Sequence, residues 1–361
     1  MKRGILLAFF IGLFVAVFFF ATQKAEIDIT EPTELDLYTN DYWQSMIAER
    51  GSIAAYDTIS TYEEHYGLVF THGIAHAFGG ALYEKENVAG ITVCDDRFLY
   101  GCVHELVAMA LMDRGGSIVE VLAEQCNQIE KNSIQAVACQ HGIGHGLIGF
   151  LGYQEHHLSE ALNICAISVD KGNLPKVQGC MGGVFMEYNL RALKRGDGVG
   201  DMRRLQTSVT EPCDSLTDSG RLGCIYWQVQ WWQQGLLKGG NDESAQSTLG
   251  KYCDQVSQTD EEQQVCYGSI GTFITPATSF RYEPSALLCR SAAQNDKQAL
   301  YCAIRAYRTI SKYTDTTLDD RNGFCKLVDP VNPNECLTAI QMLHGESDAL
   351  YPLTSFLYSP L

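Results

Sequence analysis

Apolar and small residues along this chain gather in short runs that open on a cysteine, as in "CVHELVAMALM", "CMGGVFMEY", "CIYWQVQWW", "CYGSIGTFI" and "CAIRAYRTI". More polar runs with helical spacing separate them and end on a cysteine, as in "GSIVEVLAEQC", "HLSEALNIC" and "EPSALLC". The alternation predicts helical hairpins. Helix A ends on a first cysteine, a short polar loop follows, and helix B opens on the second. The 14 cysteines fall into seven such pairs: Cys94/Cys102, Cys126/Cys139, Cys165/Cys180, Cys213/Cys224, Cys253/Cys266, Cys289/Cys302 and Cys325/Cys336. First members lie between 32 and 48 residues apart, a spacing near that of helical-hairpin arrays. One further unit precedes them, because "LVFTHGIAHAFGGALYE" aligns with the B helices with Phe70 in the cysteine position. The expected fold is all-α: seven to eight disulfide-stapled helical hairpin repeats, forming an α/α toroid or an α-solenoid. One disulfide per hairpin would close loops of roughly 8 to 15 residues, each worth about 2–3 kcal/mol.

The N-terminus changes the picture. Lys2 and Arg3 precede an unbroken apolar run from Gly4 to Ala21, about the minimum length of a membrane span. The basic flank stays cytoplasmic. The expected organisation is a cytoplasmic stub (1–3), one transmembrane signal anchor (4–22), a linker (23–45) and an exported helical repeat domain (46–361). A cleaved signal peptide is the alternative, but no clean cleavage motif follows the run. The bulk of the chain would then be extracytoplasmic, periplasmic or extracellular. An even cysteine count in that oxidising setting favours disulfides over thiol chemistry.

The 43 acidic and 26 basic residues leave a formal net charge of −17. Such a surface repels phosphate backbones, which makes nucleic acid an improbable partner, and it favours cations without specificity. No phosphate-binding glycine loop, haem-attachment motif or serine nucleophile elbow is present.

Candidate chemistry emerges when the units are read in register. Counted from the second cysteine, positions +2 and +6 share one face of helix B, since residues four apart stack. Position +2 carries His72, His104 and His141 in the first three units, and position +6 carries His76 and His145 in the first and third. Imidazoles at that spacing can hold one ion together, and a third from the next helix completes a facial set. Glu105, next to His104, and Glu187, in the fourth unit, are the candidate catalytic carboxylates. "HELVA" begins like the zinc-protease H-E-x-x-H motif, but Ala108 stands where its second histidine belongs. A lone H-x-x-x-H pair is more often an ordinary packed or hydrogen-bonded pair. The repeat of the pattern is what favours a metal. The glycines around these histidines, Gly142, Gly144, Gly146, Gly182 and Gly183 among them, predict close helix approach. His65 could reach the site, His156 and His157 are expected to face solvent, and His344 lies in the last unit.

The reading therefore carries a transition metal, zinc, copper or iron, bound by His72, His76, His104, His141 and His145. Zinc would give hydrolytic chemistry and copper or iron redox chemistry. Two alternatives stand beside it. One is a non-catalytic scaffold gripping a peptide, glycan or small-molecule ligand in an aromatic groove of Tyr226, Trp227, Gln230 and Trp231, although at least one of those tryptophans is expected in the core. The other is a metal-free carbohydrate-active toroid using Glu105 and Glu187 as paired carboxylates.

At "THGIAHAFGG", "CQHGIGHG" and "CYGSIG" the chain resembles the lanthionine synthetase cyclases. These are α/α toroids whose inner helices open on glycine-rich segments and which hold zinc through cysteine and histidine. The resemblance implies architecture, with no carry-over of thiolate ligands or of the cyclase reaction.

Overall fold

A computed structural model of the protein describes residues 32–95, 97–129, 134–169, 179–191, 202–205, 208–314 and 317–344. The expected stub, transmembrane anchor and first part of the linker lie outside the described residues. Among the described residues, no helix is long and apolar enough to cross a membrane.

The chain divides after Tyr38. In the first unit, Thr33 holds the 3-10 turn Asp36–Tyr38 by donating its amide and hydroxyl to the Asp36 carboxylate. The second unit opens with Thr39, whose hydroxyl accepts from the Tyr42 amide and caps α1 (Asn40–Arg50). Trp43, Met46 and Ile47 are buried at helical spacing. The linker therefore does not reach residue 45 as the polar composition suggests; residues 40–45 are already packed helix.

Fourteen further helices follow among the described residues. The B helices are α3 (Leu68–Glu86), α4 (Gly101–Arg114), α6 (Ile134–Leu151), α8 (Cys180–Leu190), α9 (Asp218–Trp231), α11 (Asp260–Ala277), α13 (Asp296–Tyr313) and α15 (Pro333–His344). The A helices are α2 (Ser52–Tyr66), α5 (Val119–Gln128), α7 (Glu155–Ile164), α10 (Glu243–Val256), α12 (Tyr282–Ala292) and α14 (Leu318–Val328). Consecutive B helices pack on one another in chain order from α3 to α15, and the A helices lie against them. Among the B helices, α8 is buried nearly all round. In α8, Cys180 to Phe185 and Glu187 to Leu190 are all buried, as expected of a central helix. The A helices bury one stripe, in α10 Gln246, Leu249, Gly250, Cys253 and Val256.

All seven expected cysteine pairs are joined, one per unit: Cys94–Cys102, Cys126–Cys139, Cys165–Cys180, Cys213–Cys224, Cys253–Cys266, Cys289–Cys302 and Cys325–Cys336. No cysteine is free.

The places of these cysteines in their helices need two corrections. Among the described residues no α-helix runs up to Cys94 or Cys213: the 3-10 turn Asn87–Thr92 leads to Cys94, and a 3-10 turn, Cys213–Ser215, begins at Cys213 itself. In the first turn, Gly90 packs so closely on Leu82 that an added Cβ would lie 2.7 Å from its Cγ. In the second, Pro212 immediately precedes the cysteine.

Nor do most second cysteines open their helices. Cys139, Cys224, Cys266, Cys302 and Cys336 all lie inside α6, α9, α11, α13 and α15, which begin at Ile134, Asp218, Asp260, Asp296 and Pro333. Of the second cysteines, Cys180 alone is a first helical residue. Capping chemistry sets the starts of α11 and α13. Thr259 accepts from the Glu262 amide at 3.2 Å and Asn295 from the Gln298 amide at 3.0 Å. In α15 the first helical position is Pro333, where the missing amide hydrogen costs nothing, so Cys336 falls at the end of the first turn. Cys139 and Cys224 are buried on the core side of α6 and α9. A disulfide needs its half-cystine on the face toward its partner segment, which a position one turn or more into the helix provides as well as its first residue.

Between the fifth and sixth units a buried Arg221 ties the layers together. It donates to Glu262 at 2.7 Å and to the carbonyls of Cys213 and Val256, each at 2.6 Å. This full set of acceptors is what makes a buried guanidinium tolerable.

Removing one staple as the pair Cys253→Ala/Cys266→Ala, across a separation of 13 residues, is expected to lower unfolding free energy by about 3 kcal/mol. Chemical denaturation of the oxidised chain measures this, and no loss would contradict it.

Candidate metal centre

The histidines come together because neighbouring B helices touch backbone to backbone. A Cβ built on Gly144 of α6 would lie 1.9 Å from the Cys180 carbonyl oxygen of α8, and one on Gly183 would lie 1.9 Å from the His141 carbonyl oxygen. The two glycines are reciprocal, so neither helix can carry a side chain at the crossing. On the other side, α6 approaches α4 with Gly142 against Val103 and Gly146 against Leu111. Gly101 of α4 faces the His72 carbonyl of α3. The five in-register histidines thus share one stretch of three neighbouring helices.

They form two groups of three, His72/His76/His104 and His104/His141/His145, each with one ligand nitrogen per residue and all within 4.8 Å of one another. His104 belongs to both. The second group is buried throughout, while His72 and His76 are half-buried.

The ring nitrogens are oriented by acceptors. His72 Nδ1 donates to the Phe98 carbonyl at 2.8 Å, and His76 Nδ1 donates to Glu105 Oε2 at 3.1 Å. His145 Nδ1 donates to Glu187 Oε2 at 2.9 Å, and Tyr153 donates its hydroxyl to the other oxygen of Glu187. Carboxylate or carbonyl partners of this kind orient metal-binding imidazoles and leave Nε2 as the ligand atom. The Nε2 atoms then face each other in pairs, at 3.3 Å in His72/His76 and 3.1 Å in His141/His145. His104 Nε2 is buried and has no hydrogen-bond partner.

Sequence reasoning had no access to Phe98 or Tyr153. Phe98 acts through its carbonyl, which no side-chain motif announces. It lies in a turn where Phe98 and Tyr100 both have positive φ, 54° and 65°, a costly conformation for bulky residues. The surroundings hold it there. The Phe98 ring is buried against Tyr56 at 5.5 Å, and Arg97 stacks over Tyr56 while donating to Asp95 and Asp57.

Burial sets the electrostatics. It pushes the His72 imidazole down to about 4, with His76 adding to the effect. His104 and His145 are lowered well below the usual histidine value, by burial first and by the surrounding histidines second. All three are therefore neutral near pH 7, the form that binds metal.

The remaining expected site residues divide. Glu187 is fully buried with both oxygens engaged. It faces His145, not an open cleft. Glu105 is partly exposed and faces His76. The aromatic groove is corrected: Trp231 is fully buried, donates Nε1 to the Arg203 carbonyl, and lies under the Arg203 guanidinium, which is 3.7 Å from the ring centre. Tyr226 is buried too. Trp227 instead walls the histidines, 5.2 Å from the His141 ring. Gln230 is partly buried, with Oε1 unpartnered. His65 is exposed, with its ring 5.8 Å from that of Tyr66. His156 is exposed and His157 partly buried, and the His344 side chain lies outside the described residues.

Compared with known protein families, characterised proteins and solved structures, the chain matches none of them.

Gly144→Ala gains about 1 kcal/mol in helix propensity. The added methyl, however, meets backbone that no rotamer change can move. A net loss of about 2 kcal/mol is expected from overpacking, read as a lowered denaturation midpoint. An unchanged midpoint would contradict the close crossing.

The lowered histidines also set a pH dependence. The folded state holds them neutral, and the unfolded chain takes up protons first. The contribution of these histidines to the stability of the metal-free chain is therefore constant above about pH 6.5 and falls as pH drops toward about 4. Melting temperatures of chelator-treated protein should follow that course, and His72→Gln/His145→Gln should flatten it.

Proposed function

We propose that this protein is a membrane-anchored, extracytoplasmic helical-repeat protein that binds a transition metal on its N-terminal B helices. The observation that carries the reading is the His72/His76 pair. Both Nδ1 atoms donate elsewhere, so both Nε2 atoms present lone pairs, 3.3 Å apart. Two such lone pairs repel unless a proton or a metal ion lies between them. Two nitrogens on one tetrahedral ion, each about 2.0–2.1 Å from it, sit about 3.3–3.4 Å apart. The unpartnered Nε2 of His104 supplies a third donor.

Three neutral imidazoles with a fourth position for water suit zinc and hydrolysis. The same donors with copper or iron suit redox chemistry. In either case the half-buried His72/His76 side is the side that a substrate would reach. Glu105 and Glu187 orient His76 and His145, in place of the attacking or protonating roles that a paired-carboxylate glycosidase would require of them. The burial of Tyr226 and Trp231 weighs against the aromatic binding groove.

Seven disulfides support an oxidising compartment. The apolar run after Lys2 and Arg3 supports an N-terminal anchor. Packing of the B helices in chain order suits the α-solenoid and the closed toroid alike.

The test is metal content of the full-length, disulfide-bonded chain after loading with Zn²⁺ or Cu²⁺ and dialysis. One equivalent or more is expected. Glu105→Gln is expected to weaken binding about 10–100-fold. Retention of no metal by a folded wild-type chain overturns the reading, and so does binding unchanged in His72→Ala/His76→Ala.

A further inference from the structure

The arrangement of the histidines carries more than the presence of a metal. The five imidazoles do not merge into one ligand set. They resolve into two triads with His104 in common. The His104 ring centre lies 6.0 and 5.7 Å from those of His72 and His76, and 5.6 and 4.2 Å from those of His141 and His145. It therefore sits between two facing Nε2 pairs, each already spaced for a shared ion at 3.3 and 3.1 Å.

Each pair also has its own carboxylate on the far ring nitrogen, Glu105 behind His76 and Glu187 behind His145. The two halves repeat the same arrangement, a histidine pair four residues apart on one B helix and a carboxylate from the next. A single ion would engage one of the two equivalent histidine pairs around His104 and not the other.

We propose that the site is a two-metal centre in which His104 bridges the ions. One ion is held by His72 and His76, the other by His141 and His145, and the two nitrogens of the His104 ring complete the two sets. One imidazole nitrogen has one lone pair for ligation, so sharing His104 requires both of its nitrogens. The ring then binds as imidazolate. Its single N–H proton leaves to solvent when the second ion enters, and no electron is transferred. The imidazolate and the two carboxylates together offset three of the four positive charges of two divalent ions. The ions differ in access: the His72/His76 position borders solvent, and the His141/His145 position is sealed. The inference rests on the metal-binding reading above and adds to it the number of ions and the bridging residue.

The experiment loads the full-length, oxidised chain with Cu²⁺, counts bound metal, and integrates the EPR signal. Two equivalents are expected, with a signal well below two spins, because an imidazolate-bridged copper pair couples antiferromagnetically. His72→Ala should leave one equivalent with a full one-spin signal. His104→Ala, with folding checked by circular dichroism, should weaken both sites at least tenfold and abolish the coupling. Two equivalents with an uncoupled two-spin signal overturn the bridge. One equivalent in wild type overturns the two-metal centre and leaves the metal-binding reading standing. No bound metal overturns both. If His104→Ala does not fold, the wild-type stoichiometry and spin count alone decide.

Discussion

The contact on which the site depends is the backbone crossing of α6 and α8 at Gly144 and Gly183. Helix axes normally stand 8–10 Å apart, with side chains between them. Here each glycine faces a carbonyl oxygen of the other helix at a distance no Cβ could occupy. That proximity lets Glu187 reach His145 across the crossing, and α4 meets α6 closely through Gly142 and Gly146. Wider spacing would leave His104 as an isolated buried imidazole. The disulfides act on a different degree of freedom. Each ties an A segment to its own B helix, and none joins one unit to the next. Close packing of the B helices is thus left to the glycines and the core, not to covalent bonds.

Once the helices are close, desolvation decides the state of the histidines. A buried imidazolium would lack water and would face like charges on its neighbours, so the neutral forms prevail. Neutral rings have one donor and one acceptor nitrogen. The Phe98 carbonyl and the Glu105 and Glu187 carboxylates take up the Nδ1 donors of His72, His76 and His145, whose Nε2 atoms each face a neighbouring imidazole. The strained Phe98–Tyr100 turn contributes one of those three anchors. Its two positive-φ aromatics are held by the Tyr56–Arg97 stack and by the neighbouring Cys94–Cys102 bridge.

Much of this is legible in the residues. Cysteine alternation is a one-dimensional signal of a one-dimensional array, so pairing and repeat register can be counted directly. Register also places His72, His76, His104, His141 and His145 on one face, because i and i+4 positions stack whatever the tertiary packing. What cannot be read depends on neighbours across helices. Glu187 reaches His145 because Gly144 lets α8 close on α6, which has no sequence-local signature. Trp231 is core because Arg203, distant in sequence, stacks on it. The helix starts escape for a local reason. Cysteine marks the staple, while capping threonine and asparagine, or a proline such as Pro333, mark the boundary, so Cys266, Cys302 and Cys336 end up inside their helices. The linker is shorter than its composition suggests because the polar residues of "NDYWQS" hide the anchoring role of the buried Trp43.

The repeat supplies its own comparison for the site. At the +2 position the later units carry Gly182, Tyr226, Gly268, Ile304 and Thr338, so the scaffold accepts small, apolar and aromatic residues there. A chain selected for stability alone would have no reason to place histidine at that position in three consecutive units. Each buried nitrogen without a partner costs about 1–3 kcal/mol, and neutralising the rings makes the fold weaker in acid. The histidines are therefore a local departure from what packing prefers, on a frame otherwise consistent from caps to core. Departures of that kind concentrate where a protein does its work. The metal reading proposed above accounts for this departure, because a cation placed between the imidazoles satisfies the facing nitrogens together.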